Sequence, residues 1–300
     1  MSTISQKRLI FGWLQESGWA LVQLLLSPLT LFYKQRFLAG DREHTVLLLC
    51  DLMASPLAYW RIAGQLNRLG FPVWILASGS PFRGLADHAR RLGRFLESEQ
   101  LQKVILIGHG IGGMVALKLS DAPRQRIGHL ITVGTPYNGS RLLLPLRFVP
   151  ALRDMAVGSE FILFHRTNSM LYPKFTPFTA WQDELIVPFN LARYGQGRDL
   201  IVDQVGHYNL LMEKENIATI VEIIAAEYPI ANTAVDMQRL EQHRGALDQP
   251  QVPVSLRTVP VRQKAASPAR GQTPVAKKGK TTSTKKAGAR KKKKARKSAR

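Results

Sequence analysis

Three short stretches of this 300-residue chain hold side chains that could do chemistry together. GHYNLL (206–211) presents His207, and WQDELIVP (181–188) presents the adjacent carboxylates Asp183 and Glu184. A histidine oriented by a carboxylate is a general base near neutral pH, able to take a proton from a hydroxyl or from water. The third stretch, GHGIGG (108–113), lies between the apolar run KVILI and MVALKLS. As G-x-G-x-x-G it would cradle a pyrophosphate. As a sharp strand-to-helix turn it would hold a nucleophile at its third residue, but that residue is Gly110, which has no side-chain atom to attack with.

These stretches need a scaffold, and the hydrophobic pattern supplies one from residue 41 onward. TVLLLC (45–50), FPVWIL (71–76), KVILI (103–107) and HLITV (129–133) read as buried strands. Helical patterns at 56–70, 82–100 and 112–120 alternate with them. This alternation predicts an α/β fold, a mostly parallel sheet with helices on both faces. The pattern lapses between 141 and 178, where short apolar helices predict a small cap. Strands resume at 178–182 and 198–202, and a helix follows at 213–227. The domain is therefore expected over 41–230, between an apolar segment at 1–40 and a linker and tail at 231–300.

A dinucleotide loop requires an acid at the end of the next strand to bind the ribose. Val133, Gly134 and Thr135 stand there instead, so no cofactor is expected. The turn, the acid stretch and the histidine stretch occur in the order nucleophile, acid, histidine, each after a strand. With TPYNGS (135–140), ELIVP (184–188) and GHYNLL, residues 43–228 resemble the lipase and esterase branch of the α/β-hydrolases, and in particular lipases of the GPI-inositol-deacylase-like kind. The resemblance implies an α/β-hydrolase fold and a site at Gly110 (the nucleophile position), His207 and Glu184, with Asp183 as the alternative acid. It also places the oxyanion-binding turn at Ile111, Asp51 and Leu52.

Two departures from that pattern bear on activity. Serine is replaced by Gly110, and the strand-end His-Gly of such lipases is replaced by Cys50-Asp51. An oxyanion hole stabilises growing negative charge, and a carboxylate beside it would oppose that charge. The expectation is a protein without the serine mechanism that binds a lipid or acyl ligand, or acts as a scaffold. The alternative is an active carboxylic-ester hydrolase that uses water or another nucleophile with the His207–acid pair. Cys50, the single cysteine, reads as a buried small hydrophobe, and no cysteine cluster for a metal exists.

The formal charge of +21 is localised rather than global. Residues 249–300 carry 17 basic and no acidic residues; the rest holds 25 basic against 21 acidic, or +4. Such a tail is expected to be disordered, to bind an anionic membrane surface, and to bind nucleic acid without sequence preference. The apolar stretch 18–33, with Lys7 and Arg8 before it and Lys34 and Arg36 after it, reads as a membrane-interface segment rather than a signal peptide. Together they predict a cytoplasmic protein, peripheral at the inner face of a membrane.

Overall fold

The computed structural model describes residues 6–195, 199–229 and 257–258. Among these the sheet runs in the order β1-β3-β2-β4-β5-β6-β7-β8. The strands are β1 (Gln35–Leu38), β2 (Val46–Leu49), β3 (Val73–Leu76), β4 (Val104–His109), β5 (Ile127–Val133), β6 (Lys174–Gln182), β7 (Leu200–Val205) and β8 (Arg257–Thr258). Strands β2 to β7 are parallel, and β1 and β8 close the two edges antiparallel. The expected tail at 249–300 lies outside the described residues except for β8.

The helices are α1 (Gln6–Leu26), α2 (Trp60–Arg68), α3 (Leu85–Ser98), α4 (Ile111–Leu117), α5 (Asp121–Arg124), α6 (Pro150–Met155), α7 (Glu160–His165), α8 (Asn209–Met212) and α9 (Lys214–Glu227). Each central strand feeds both faces of the sheet. Val46 and Leu48 join one core, which includes buried side chains of α2, α8 and α9. Leu47 and Leu49 join the other, which includes buried side chains of α3 and α4 and of α6 and α7. Helix α3 buries Leu85, Ala89, Leu92 and Leu96, the spacing of a single helical face. Helices α6 and α7 lie between β5 and β6, where the cap was expected, although β6 starts at Lys174 rather than 178.

Two features differ from the sequence reading. Residues 35–38 belong to the sheet as β1 and not to a separate N-terminal segment. The apolar stretch is also longer than 18–33, because a helix begins at Gln6. Leu9–Thr30 is long and apolar enough to cross a membrane, by length and composition alone. Helix α1 is turned inside out. Gly12, Glu16 and Gln23 are buried, while Ile10, Phe11, Leu14, Leu21, Leu24 and Leu25 are more than half exposed.

The glycines of GHGIGG answer mainly to packing. A Cβ on Gly108 would lie 2.5 Å from the backbone nitrogen of Gly113, and one on Gly112 would lie 2.5 Å from the carbonyl oxygen of Leu49. Helix α4 therefore sits directly against β4 and β2. Gly108→Ala should destabilise the domain by about 3 kcal/mol, because backbone rather than a mobile side chain must move. Urea melts check this, and an unchanged midpoint would show that α4 can retreat.

Candidate active site

The strand order reverses between β2 and β4, and the loops leaving their carboxyl ends diverge there. Leu49 is in register with Gly108, so Asp51 and Gly110, each two residues further on, face one another across this crevice. The sheet edge continues through β6 to Asp183 and through β7 to His207. Three consecutive parallel steps, from β4 to β7, thus bring all three sequence stretches to one edge.

Gly110 has φ +50 and ψ −112, the backbone of a sharp elbow that residues with side chains adopt only under strain. Its nitrogen donates to the Val133 carbonyl at 2.8 Å, which pins the turn to β5. The space above it is filled. A Cβ built on Gly110 would overlap the Asp51 carboxylate and come to 3.0 Å from His207 Nε2. Asp51 Oδ1 accepts from the Ile111 backbone nitrogen at 2.9 Å. Asp51 Oδ2 lies 3.3 Å from His207 Nε2, an ion-pair contact not aligned as a hydrogen bond. Leu52, the third oxyanion candidate, is half-buried and packs on the α3–α4 core.

His207 is paired on its other side by Asp183, whose Oδ2 is 2.7 Å from Nδ1. Of the two acids that the sequence offered, the ring meets the alternative, Asp183, and not Glu184. Glu184 instead accepts from the backbone nitrogen of His207 at 3.1 Å. Burial, and after it a hydrogen bond to Glu16 of α1, raise the pKa of Glu184. Glu16 itself accepts from the nitrogens of Tyr208 and Asn209, both at 2.8 Å. The two glutamates therefore brace the backbone of the histidine loop and leave its ring to Asp183.

Electrostatics in this site favour charge on both partners of the Asp51–His207 contact. Burial alone would raise the pKa of Asp51, but the facing His207 ring, with help from His109 and the Ile111 amide, holds it at about 2. Burial alone would lower the pKa of His207, yet Asp183 and then Asp51 push it well above the usual imidazole range. The arrangement favours an imidazolium held between two carboxylates.

Two further residues, which the sequence reading did not single out, lock the loops together. His109, buried and with its pKa lowered to about 4 chiefly by burial and then by the charge of His207, is neutral. Its Nε2 faces the His207 carbonyl at 3.2 Å, which assigns the proton there, and Nδ1 accepts from Tyr59 Oη at 2.8 Å. Tyr59 Oη in turn accepts from the Asp51 nitrogen at 3.0 Å. The histidine inside GHGIGG was the available signal for this chain of bonds; Tyr59 had none. Cys50 is fully buried, and burial raises its thiol pKa, so it cannot serve as a thiolate nucleophile. Among the described residues no cluster of metal-ligating side chains exists.

Residues 90–149, from α3 to the start of the cap, match a family model described as a PGAP1-like alpha/beta domain. No curated protein matches the chain in sequence. Similar solved structures include one described as LipS and LipT, two metagenome-derived lipolytic enzymes, with 17% identity, 65% of this chain and 96% of that chain covered, and a TM-score of 0.47. The mature Bacillus licheniformis lipase BlEst2 shares 18% identity over 63% of this chain and 98% of its own, with a TM-score of 0.48. The monoacylglycerol lipase of Paleococcus ferrophilus shares 12% identity over 64% and 98%, with a TM-score of 0.47. The fold is α/β-hydrolase-like, a mostly parallel sheet with helices on both faces.

The ion triplet makes a prediction with a definite sign. His207, raised on folding, adds stability that is complete below its unfolded pKa of ~6.5 and fades as pH climbs through its folded value. Asp51, lowered to about 2, adds stability that is complete above the ordinary carboxylate value of 3.8 and fades as pH falls toward 2. Denaturant melts should therefore lose stability on the alkaline side above pH ~6.5 as well as in acid. Asp51→Asn should lower stability at neutral pH by about 2 kcal/mol and reduce the alkaline loss. Imidazole NMR should show His207 protonated at pH 7.5 in the wild type and titrating lower in the variant. A neutral wild-type ring at that pH would refute the triplet.

Proposed function

We propose that this protein is a lipase-like α/β-hydrolase-fold protein in which acyl-enzyme chemistry is closed, and that it works as a lipid- or acyl-ligand-binding protein peripheral to a membrane. The Asp51 carboxylate carries this reading. It stands where the elbow side chain of a serine hydrolase would stand, and it already accepts the Ile111 amide that would stabilise an acyl oxyanion. Together with Asp183, the larger contributor, it also favours His207 as a cation, and an imidazolium cannot take a proton from a nucleophile or from water. The nucleophile, the oxyanion donor and the base are thus all withdrawn by two carboxylates and one glycine.

The membrane part of the proposal draws support from α1 and the cap. Helix α1 turns its polar residues toward the domain and its leucines outward, the reverse of a soluble amphipathic helix. Phe148 of the cap region and Leu163 and Phe164 of α7 are also more than two-thirds, or close to two-thirds, exposed. Apolar surface of this kind marks an interaction site, and basic flanks such as Lys34 and Arg36 favour an anionic lipid surface.

Restoration of activity tests the closed site. Gly110→Ser alone should remain inactive, because the new side chain collides with Asp51. Gly110→Ser combined with Asp51→Gly clears the carboxylate, frees the Ile111 amide and lets His207 lose its proton. The double variant should hydrolyse short acyl esters at least tenfold faster than either single variant, within the 10²–10³ that one oxyanion donor is typically worth. Wild-type turnover that His207→Ala abolishes would overturn the reading.

A further inference from the structure

A second polar feature lies away from Asp51 and His207, on the α3 side of the sheet. A cavity of about 140 Å³ opens between the carboxyl end of β3 and α3, lined among others by Lys34, Gln35, Ser78, His88 and Arg91. No aspartate or glutamate lines it. Arg91 is partly buried, and among the described residues its side chain donates to the Ser78 carbonyl at 3.3 Å. Burial, and after it the like charges of Arg83 and Arg94, lower its pKa. Taking a guanidinium partly out of water without an anion is costly, and the usual resolution is a carboxylate or a phosphate in its fork.

His88 refines the chemistry of the missing anion. It is 2% exposed, and its Nε2 lies 3.1 Å from the Arg83 carbonyl, which assigns the ring proton to that nitrogen. Its Nδ1 is buried with no hydrogen-bond partner. Burial, the first cause, lowers the pKa of this ring, against the backbone carbonyls of Ser78, Arg83 and Ser80, which raise it; with the ring proton on Nε2, Nδ1 is an acceptor. A ligand that satisfies all three side chains must bring negative oxygens to Arg91 and Lys34 and a hydroxyl proton to His88. A phosphomonoester in its monoprotonated form has both. Its few heavy atoms also suit the space, which is well below the ~300 Å³ of pockets that enclose drug-sized ligands.

We infer that the pocket formed by Lys34, His88 and Arg91 binds a phosphomonoester group. Two sources share that chemistry, a phosphatidic acid headgroup and a soluble phosphate or phosphate ester. The lipid source rests on the membrane reading above. Phe32 and Tyr33, immediately before Lys34, are 81% and 54% exposed, and Phe82, in the loop between Ser78 and α3, is 75% exposed. Exposed aromatics beside a cationic pocket match the depth of a lipid headgroup and the first methylenes of its chains.

Calorimetric titration of the full-length protein with inorganic phosphate and with glycerol 3-phosphate reads the soluble arm. Flotation with phosphatidylcholine vesicles containing phosphatidic acid or phosphatidylglycerol, matched in surface charge, reads the lipid arm. Arg91→Gln and Lys34→Gln should each weaken phosphate binding about tenfold, the loss of roughly one charge-assisted contact. Arg90→Gln, which removes an equal charge outside the pocket, should not. A preference for phosphatidic acid that Arg91→Gln abolishes assigns the lipid source, whereas phosphate binding without that preference assigns the soluble one. Equal binding of both vesicle types with no phosphate titration overturns the pocket while leaving membrane association standing. If no vesicle binds, the membrane reading falls and the phosphate titration alone decides the pocket.

Discussion

The contact between Asp51 and the elbow organises everything else at the carboxyl edge of this sheet. One oxygen takes the Ile111 amide, the other faces His207, and the backbone nitrogen of the same residue is held by Tyr59. Three loops from separate strands meet in those contacts. Their cost is the desolvation of a carboxylate and an imidazole, offset because Asp183 and Asp51 flank the ring from both sides. Serine in place of Gly110 cannot coexist with this arrangement, since both side chains claim one space. The two departures from the lipase pattern are therefore coupled. Glycine makes room for the carboxylate, and the carboxylate uses the hydrogen-bond donor that the glycine elbow leaves open.

Much of this was legible in the sequence, and the remainder shows where sequence reading stops. The order of the three stretches announced the sheet edge, because successive parallel strands deliver their following loops to one side. Asp51 was visible as a carboxylate near the turn, but its reach into the elbow depends on the register of Leu49 with Gly108, which no local pattern encodes. The choice between Asp183 and Glu184 was equally hidden. Neighbouring residues at a strand end point in different directions, and one extra methylene lets Glu184 reach backbone while Asp183 meets the ring. Strand β1 escaped notice because QRFL is an exposed edge with no apolar alternation.

Helix α1 shows a different limit. Glu16 and Gln23 are polar residues within a largely apolar helix, and the sequence alone does not say which way they face. In the fold they are the residues that face the protein. Glu16 caps the start of the histidine loop, Asn209 reaches the Gly12 carbonyl at 2.9 Å, and Trp19 donates to Glu213 at 2.9 Å. A hydrophobicity average cannot distinguish this helix from a spanning one, because the decisive information is which side the few polar groups occupy.

That inward carboxylate ties the first helix to the order of synthesis. Residues 6–26 leave the ribosome before the strands that carry Tyr208 and Asn209 have been made. During that interval Glu16 has no amide donor from the histidine loop. Once β7 and the following loop form, it gains two, so the first helix to be made waits for nearly the whole domain before its inward face is satisfied.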